Sequence, residues 1–268
     1  ATGGMEHAMT SLQAIDPRLL TPTGVDDKLS ATFMLSFWVL VCFGLIGLPH
    51  TAVRAMAYKD SRSLHRGMLV GTVVMTVLVL GMHLSGVLAR AVVPELDVPD
   101  KVIPTLMMTV LPPFVAGIFL AAPMAAIMSS IDSMLIQSSS TLIKDLYLSI
   151  KPDAIHNEAK IKRYSTTLTL GFTVILAVVA MLNPPDMLIW LNLLSFGGLE
   201  ATFLWVLVFG LYYKKANATG AIWSMVAGLT SYVIIAYFKI ALWDLHAVVP
   251  ALVIGLVAFL VGNKVGEK

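Results

Sequence analysis

The chain has 268 residues, of which 57% are hydrophobic and 13% charged, with a formal net charge of +2. Soluble domains carry about 25% charged residues, so this composition excludes a water-soluble globular protein. The near-neutral charge, with no basic cluster interleaved with aromatics, gives no nucleic-acid-binding surface, and the single cysteine, Cys42 in an apolar run, excludes an internal disulfide and a thiolate zinc site.

Residues 1–30 read as a polar loop, with turn signals at Asp16-Pro17 and Thr21-Pro22-Thr23-Gly24. A membrane span needs about 20 mostly apolar residues to cross a hydrocarbon core of roughly 30 Å. Runs free or nearly free of charge at 31–53, 67–89, 113–143, 164–185, 187–213, 216–238 and 245–263 predict seven such helices. The first holds no Asp, Glu, Lys or Arg; the third holds only Asp132 and the fifth only Glu200.

The first run ends FGLIGLPHTAVRAMAYKD at 43–60, with Gly44, Gly47 and Pro49 close together. Proline lacks an N–H and clashes with the preceding turn, and glycine weakens a helix and admits close neighbours. The pattern fits either a proline kink or a discontinuous helix whose second half starts near Pro49. In the second case free N–H groups and a positive dipole end suit an anionic ligand. His50 beside the break is either a ligand-facing polar group or a helix-end histidine, and Arg54 an interfacial anchor.

The third run carries the densest signal. Residues 121–147 read AAPMAAIMSSIDSMLIQSSSTLIKDLY. At about 100° per residue, Ser140, Ser133, Ala126, Gln137, Ser130 and Thr141 fall between about 20° and 120° from Ser129. A file of hydroxyls on an apolar helix belongs against protein or water rather than lipid, and small hard oxygens are ligands for hard cations. Asp132 lies about 60° from Ser129, off the Ser129 edge of the stripe, placed either to tune a cation electrostatically or to pair structurally. Asn217-Ala218-Thr219 matches a glycosylation acceptor, but the topology below puts it inside, so the match is chance. No zinc-type His pair, phosphate loop or activated nucleophile is legible, which argues against an enzyme.

Lys and Arg concentrate in alternate loops: Arg54, Lys59, Arg62 and Arg66 after the first run; Lys144, Lys151, Lys160, Lys162 and Arg163 after the third; Lys214 and Lys215 after the fifth; and Lys264 and Lys268 in the tail. The loop around Arg90–Lys101 adds Glu95, Asp97 and Asp100, and that at Pro184–Asp186 has no Lys or Arg. By the positive-inside rule the C-terminus is cytoplasmic and residues 1–30 are external. An external start without a signal sequence predicts that spans precede this chain, which then forms the C-terminal portion of a longer transporter.

SFWVLVCFGLIGLPHTAVRAMAYKDS at 36–61, LPPFVAGIFLAAPMAAIMSS at 111–130, SSSTLIKDLYL at 138–148, IWLNLLSFGGLEATFLW at 189–205 and GLYYKKANATGA at 210–221 resemble the sodium:solute symporter family. The Gly-Leu-Pro-His-Thr-Ala-Val-Arg segment is most similar to the pantothenate branch. The resemblance implies an all-α membrane fold of the LeuT type: the second inverted repeat, core helices six to ten, over 31–213, with two additional helices and a short tail over 214–268. It implies sodium as the coupling ion, bound by the Ala126 carbonyl and the hydroxyls of Ser129 and Ser130, with Ser133 at the position of a second sodium in some members. The opposite ligands, on core helix one, lie in the missing N-terminal half. It implies a substrate site at Gly47, Leu48, Pro49 and His50 of the broken helix with Asn192 and Glu200 of core helix ten, taking pantothenate or another carboxylate, in a multi-pass protein of the bacterial inner membrane. The alternatives are a same-family symporter for proline, a sugar or a monocarboxylate, and a channel or non-transporting scaffold.

Overall fold

The structure, a computed structural model, describes residues 3–25, 29–96, 98–182, 188–240 and 242–266, apart from the side chains of residues 54 and 55. Asp97, Pro184–Asp186, Lys268 and the Arg54 side chain, used above to orient the loops, lie outside what is described. In chain order the helices are α1 (Met5–Ile15), α2 (Ala31–Trp38), α3 (Pro49–Met56), α4 (Ser61–Val92), α5 (Val102–Val110), α6 (Pro113–Ser140), the single turn α7 (Leu148–Ile150), α8 (Glu158–Leu182), α9 (Leu188–Tyr212), α10 (Ala218–Tyr237) and α11 (Val248–Gly266). Among the described residues there is no strand.

Six helical stretches are long and apolar enough to cross a membrane: Ser61–Val92, Pro113–Ile150, Glu158–Leu182, Leu188–Tyr212, Ala218–Tyr237 and Val248–Gly266. The chain is a multi-pass, all-helical membrane protein. The seventh expected span, 31–53, is not among them. Its apolar helix covers only Ala31–Gly47, passing from α2 through a π-helical turn at Val39–Phe43 and a 3₁₀ turn at Gly44–Gly47. Leu48 is then extended (φ −86°, ψ 113°), and α3 restarts at Pro49, where a missing N–H costs nothing because first-turn donors are unpaired anyway.

Two other expectations are corrected. Residues 5–15 are helical rather than loop: Ala8 and Leu12, one turn apart, bury their side chains as α1 packs on α4. The turn signals act only afterwards, where the Asp16 carboxylate accepts the Arg18 N–H at 2.8 Å and Pro17 opens a 3₁₀ turn. Several helices also outrun their apolar cores. α4 begins at Ser61, not 67, because Asp60 caps it by accepting the Ser63 N–H at 2.7 Å, and α8 begins at Glu158, not 164. Hydropathy marks the lipid-facing length; capping marks the helix end.

The chain divides into two compact units, Ala1–Leu96 with Leu188–Lys268, and Asp97–Met187. In the first, α9, α10 and α11 pack around a core that includes Leu193, Ala201, Leu204, Tyr232, Ala251 and Leu252, joined by Leu40 of the π-helical turn. Lipid offers little hydrophobic drive between helices, so close approach at small residues and satisfied polar groups decide the packing. A Cβ on Gly228 of α10 would lie 2.0 Å from the Ala201 carbonyl oxygen of α9, and one on Gly262 of α11 would lie 3.0 Å from the Gly220 Cα of α10. Asn263 ties α11 to the start of α10. Its Oδ1 accepts the Asn217 N–H at 2.9 Å, its carbonyl accepts the Asn217 amide at 2.8 Å, and its own amide donates to the Lys215 carbonyl at 2.8 Å. In the second unit α6 pairs with α8; Leu135, Ser139 and Ile143 are buried, at successive four-residue steps, and the Thr169 hydroxyl donates to the Ser139 hydroxyl at 2.8 Å.

Candidate functional site

The hydroxyl stripe lies in the second unit. The Ser129 hydroxyl donates to the Ala126 carbonyl at 2.9 Å and the Ser130 hydroxyl approaches the same oxygen at 3.3 Å. Three hard oxygens therefore gather at one point, because three- and four-residue spacing puts these side chains on one helical face. A hydroxyl that donates its hydrogen keeps lone pairs for a cation, so these bonds position the two serine oxygens without using them up. Ser133, one turn on, donates to the Ser130 carbonyl at 2.8 Å and is half-buried.

Ser129 and Ser130 are exposed, as is Asp132 beside them. The buried face of the same helix, Leu135, Ser139 and Ile143, is centred about 140° away from the stripe at 100° per residue. α6 thus uses its opposite side to pack on α8 and leaves the stripe uncovered within its unit. The hydroxyl that does bond across helices, Ser139, is off the stripe.

The helix break lies in the first unit. Gly47 and Leu48 are buried, and Pro49 and His50 half-buried. The His50 ring lies 6.2 Å from that of Phe196 on α9. α9 crosses the 3₁₀ turn at backbone contact distance: a Cβ on Gly47 would stand 3.0 Å from both the Glu200 Cα and the Leu204 N. One turn earlier, a Cβ on Gly44 would fall 1.9 Å from a Glu200 carboxyl oxygen. The Glu200 side chain therefore occupies the place that any side chain on residue 44 would take. It is fully buried, and neither carboxyl oxygen has a hydrogen-bond partner.

Four of the residues expected at the substrate site, Gly47 to His50, thus adjoin α9, and Glu200 meets them at Gly44. Asn192 does not join. It is exposed and stands eight residues before Glu200, about 12 Å along the helix and about 80° around it. A cavity of about 710 Å³ in this unit is lined by Phe33, Trp190, Tyr232, Lys239 and His246 among others, and not by Glu200. Two features around it escaped the sequence reading. The Ser36 hydroxyl accepts the His246 N–H at 2.8 Å while donating to the Phe33 carbonyl at 2.6 Å, which pins the loop before α11 to α2. The Tyr232 hydroxyl donates to the Leu194 carbonyl at 3.0 Å. Both contacts span long sequence separations and leave no periodic signal. The Gly44–Glu200 contact was hinted at only by two glycines three residues apart.

Comparison with known proteins adds the following. The model of the sodium:solute symporter family matches residues 1–228. Over 268 residues, the whole of this chain, it is 61% identical to the sodium/pantothenate symporter of Haemophilus influenzae and 59% identical to that of Escherichia coli, covering 55% of each. It is 30% identical over 253 residues to a sodium/proline symporter of Staphylococcus aureus, covering 88% of this chain and 48% of that protein. The chain spans about half the length of these relatives. No solved structure matches it.

Proposed function

Because the chain belongs to the sodium:solute symporter family, we propose that it serves sodium-coupled uptake of a small carboxylate, pantothenate, across the bacterial inner membrane, with its C-terminus cytoplasmic. The observation that carries this is the identity of 61% and 59% to two sodium/pantothenate symporters along the entire chain, against 30% to a sodium/proline symporter. It is a transporter and not an enzyme. On this reading the fold is of the LeuT type. Residues 31–213 form the second inverted repeat, α10 and α11 are additions to it, and the first repeat belongs to a part of the protein outside this chain.

Ala126, Ser129 and Ser130 then form one wall of the sodium site, with Ser133 available to a second ion, and the opposite wall comes from the first repeat. Support comes from the three oxygens gathered at Ala126 and from the stripe's position on the uncovered side of α6. Sodium would fasten that face against its partner helix and favour the outward-open state. The membrane potential then drives the bound cation inward at about 2.3 kcal/mol per charge per 100 mV. The substrate would lie at the break, Gly47 to His50, where α9 crosses it next to Glu200; Asn192, exposed and about 12 Å further along α9, stands apart from it. Its carboxylate would face the N-terminus of α3, whose first-turn N–H groups carry partial positive charge.

The test is uptake of labelled pantothenate by the full-length protein in cells lacking their own transporter, with and without a sodium gradient. Sodium-dependent uptake competed by unlabelled pantothenate is expected. Competition by proline or acetate but not by pantothenate would transfer the assignment to another solute of the family. Solute flux that ignores the sodium gradient would favour a channel.

A further inference from the structure

We propose that Glu200 is a proton-binding site at the middle of the membrane, and that the crossing of α9 over the Gly44–Gly47 turn stays closed only while that proton is bound. Glu200 is twelve residues from each end of α9, Leu188 and Tyr212, so about 18 Å of helix separates it from either end. Its side chain has no exposed surface, and neither oxygen has a hydrogen-bond partner. A carboxylate enclosed in this way is neutralised by a proton, paired with a cation, or not enclosed at all.

Among the described residues, no Lys, Arg or His side chain pairs with Glu200. The turns Val39–Phe43 and Gly44–Gly47 and helix α10 contain no Lys, Arg, Asp or Glu, and α11 has only Lys264, at its far end. The titratable groups facing this region are Tyr232 of α10, whose hydroxyl is committed to the Leu194 carbonyl, and Cys42, which is exposed. His50 meets Phe196, and His246 meets Phe33 and Tyr232 near the start of α11. None of them bonds Glu200. A cation brought by any other part of the protein cannot touch a side chain with no accessible surface unless the crossing first opens.

Ion size separates a proton from sodium. A sodium ion needs several oxygens around it and room for itself. Here the carboxyl lies in the space left by the absent side chain of Gly44, with the Gly44 backbone against it. A proton adds no volume. The uptake is simple in its balance: the carboxylate takes a proton from hydronium, leaving water and the neutral acid, and the reverse step returns it when the crossing opens. The site is separate from the hydroxyl cluster at Ala126, Ser129 and Ser130.

Infrared difference spectroscopy of the full-length protein in lipid nanodiscs tests this without reference to any transported solute, so it stands or falls independently of the pantothenate assignment. At neutral pH the wild type should show a protonated-carboxyl C=O band that exchanges slowly in D₂O and is absent from Glu200→Gln. Spectra identical in this region for the two proteins would overturn the proposal. Gly44→Ala gives a second arm with Glu200 in place. The added methyl must displace the carboxyl from its place at the crossing, so the same band should disappear or exchange rapidly; an unchanged band and exchange rate would refute the coupling of the proton to a closed crossing.

Discussion

Replacing Gly228 with alanine tests how α9 and α10 are held together. The new methyl would lie 2.0 Å from the Ala201 carbonyl oxygen and 2.9 Å from its carbon, where ordinary contact begins at 3.4 Å. Both obstructing atoms are backbone, so no rotamer change relieves them and the two helices must separate by more than an ångström at their closest point. Overpacking of this kind costs about 1–3 kcal/mol. The rigidity of the obstruction puts Gly228→Ala at the upper end, and the gain in helix propensity on replacing glycine returns about 1 kcal/mol. The net expectation is about 2 kcal/mol, roughly a thirtyfold fall in the folded-to-unfolded ratio. Gly198 is the internal control, because a Cβ there meets Tyr232 ring atoms at 3.5 and 3.6 Å, an ordinary contact at the same helix pair. Gly198→Ala should be neutral or slightly stabilising. Denaturant-dependent loss of helical circular dichroism in mixed micelles, run on both variants and the wild type, gives the comparison. Equal midpoints for the two variants would show that the helices do not pack at backbone distance.

Ser129→Ala and Ser130→Ala each remove one hydroxyl from the Ala126 cluster; taking the loss as similar to a hydrogen bond to a charged group, about 1.5–3 kcal/mol, the sodium concentration for half-maximal uptake should rise at least about tenfold, and an unchanged value would exclude these oxygens as ligands. Asn263→Leu leaves the Asn217 N–H and the Lys215 carbonyl without their partner and should destabilise the protein by about 1–3 kcal/mol, read in the same unfolding assay; a neutral result would mean the α10–α11 tie contributes nothing. The Asp60 carboxyl is held below its ordinary value near 3.8 by the Ser63 N–H it accepts. The cap is therefore fully effective above that value and fails as pH falls through the lowered one. Hydrogen exchange at Ser61–Leu64 should accelerate on acidification through that range in the wild type but not in Asp60→Asn, and an identical pH profile in both would remove the cap from the account.

Local, periodic information was legible in the sequence. The angular positions of Ala126, Ser129 and Ser130 follow from helical geometry alone, and their oxygens gather where that geometry puts them. The break at Gly44–Pro49 was legible because proline and glycine act on the backbone directly. What could not be read was set by distant partners or by polarity gradients. The length of α4 depends on a cap outside the apolar run. The helix at Met5–Ile15 depends on two small apolar contacts hidden among polar residues. Glu200 was visible as an anomaly in an apolar run, but its enclosure depends on Gly44, more than 150 residues earlier, and no periodicity connects them.

The glycine contacts among α9, α10 and α11 also have a mechanical meaning. Where helices touch through side chains, rotamers act as soft springs and the interface can shear. Where Gly228 meets Ala201 and Gly262 meets Gly220, backbone rests on backbone, and the Asn263–Asn217 amides lock one end of the pair. The three helices therefore behave as a stiff beam. The regular helical path is interrupted instead at Leu48, a single extended residue between the Gly44–Gly47 turn and α3, so a reorientation of α3 is expected to turn about that residue rather than within the bundle.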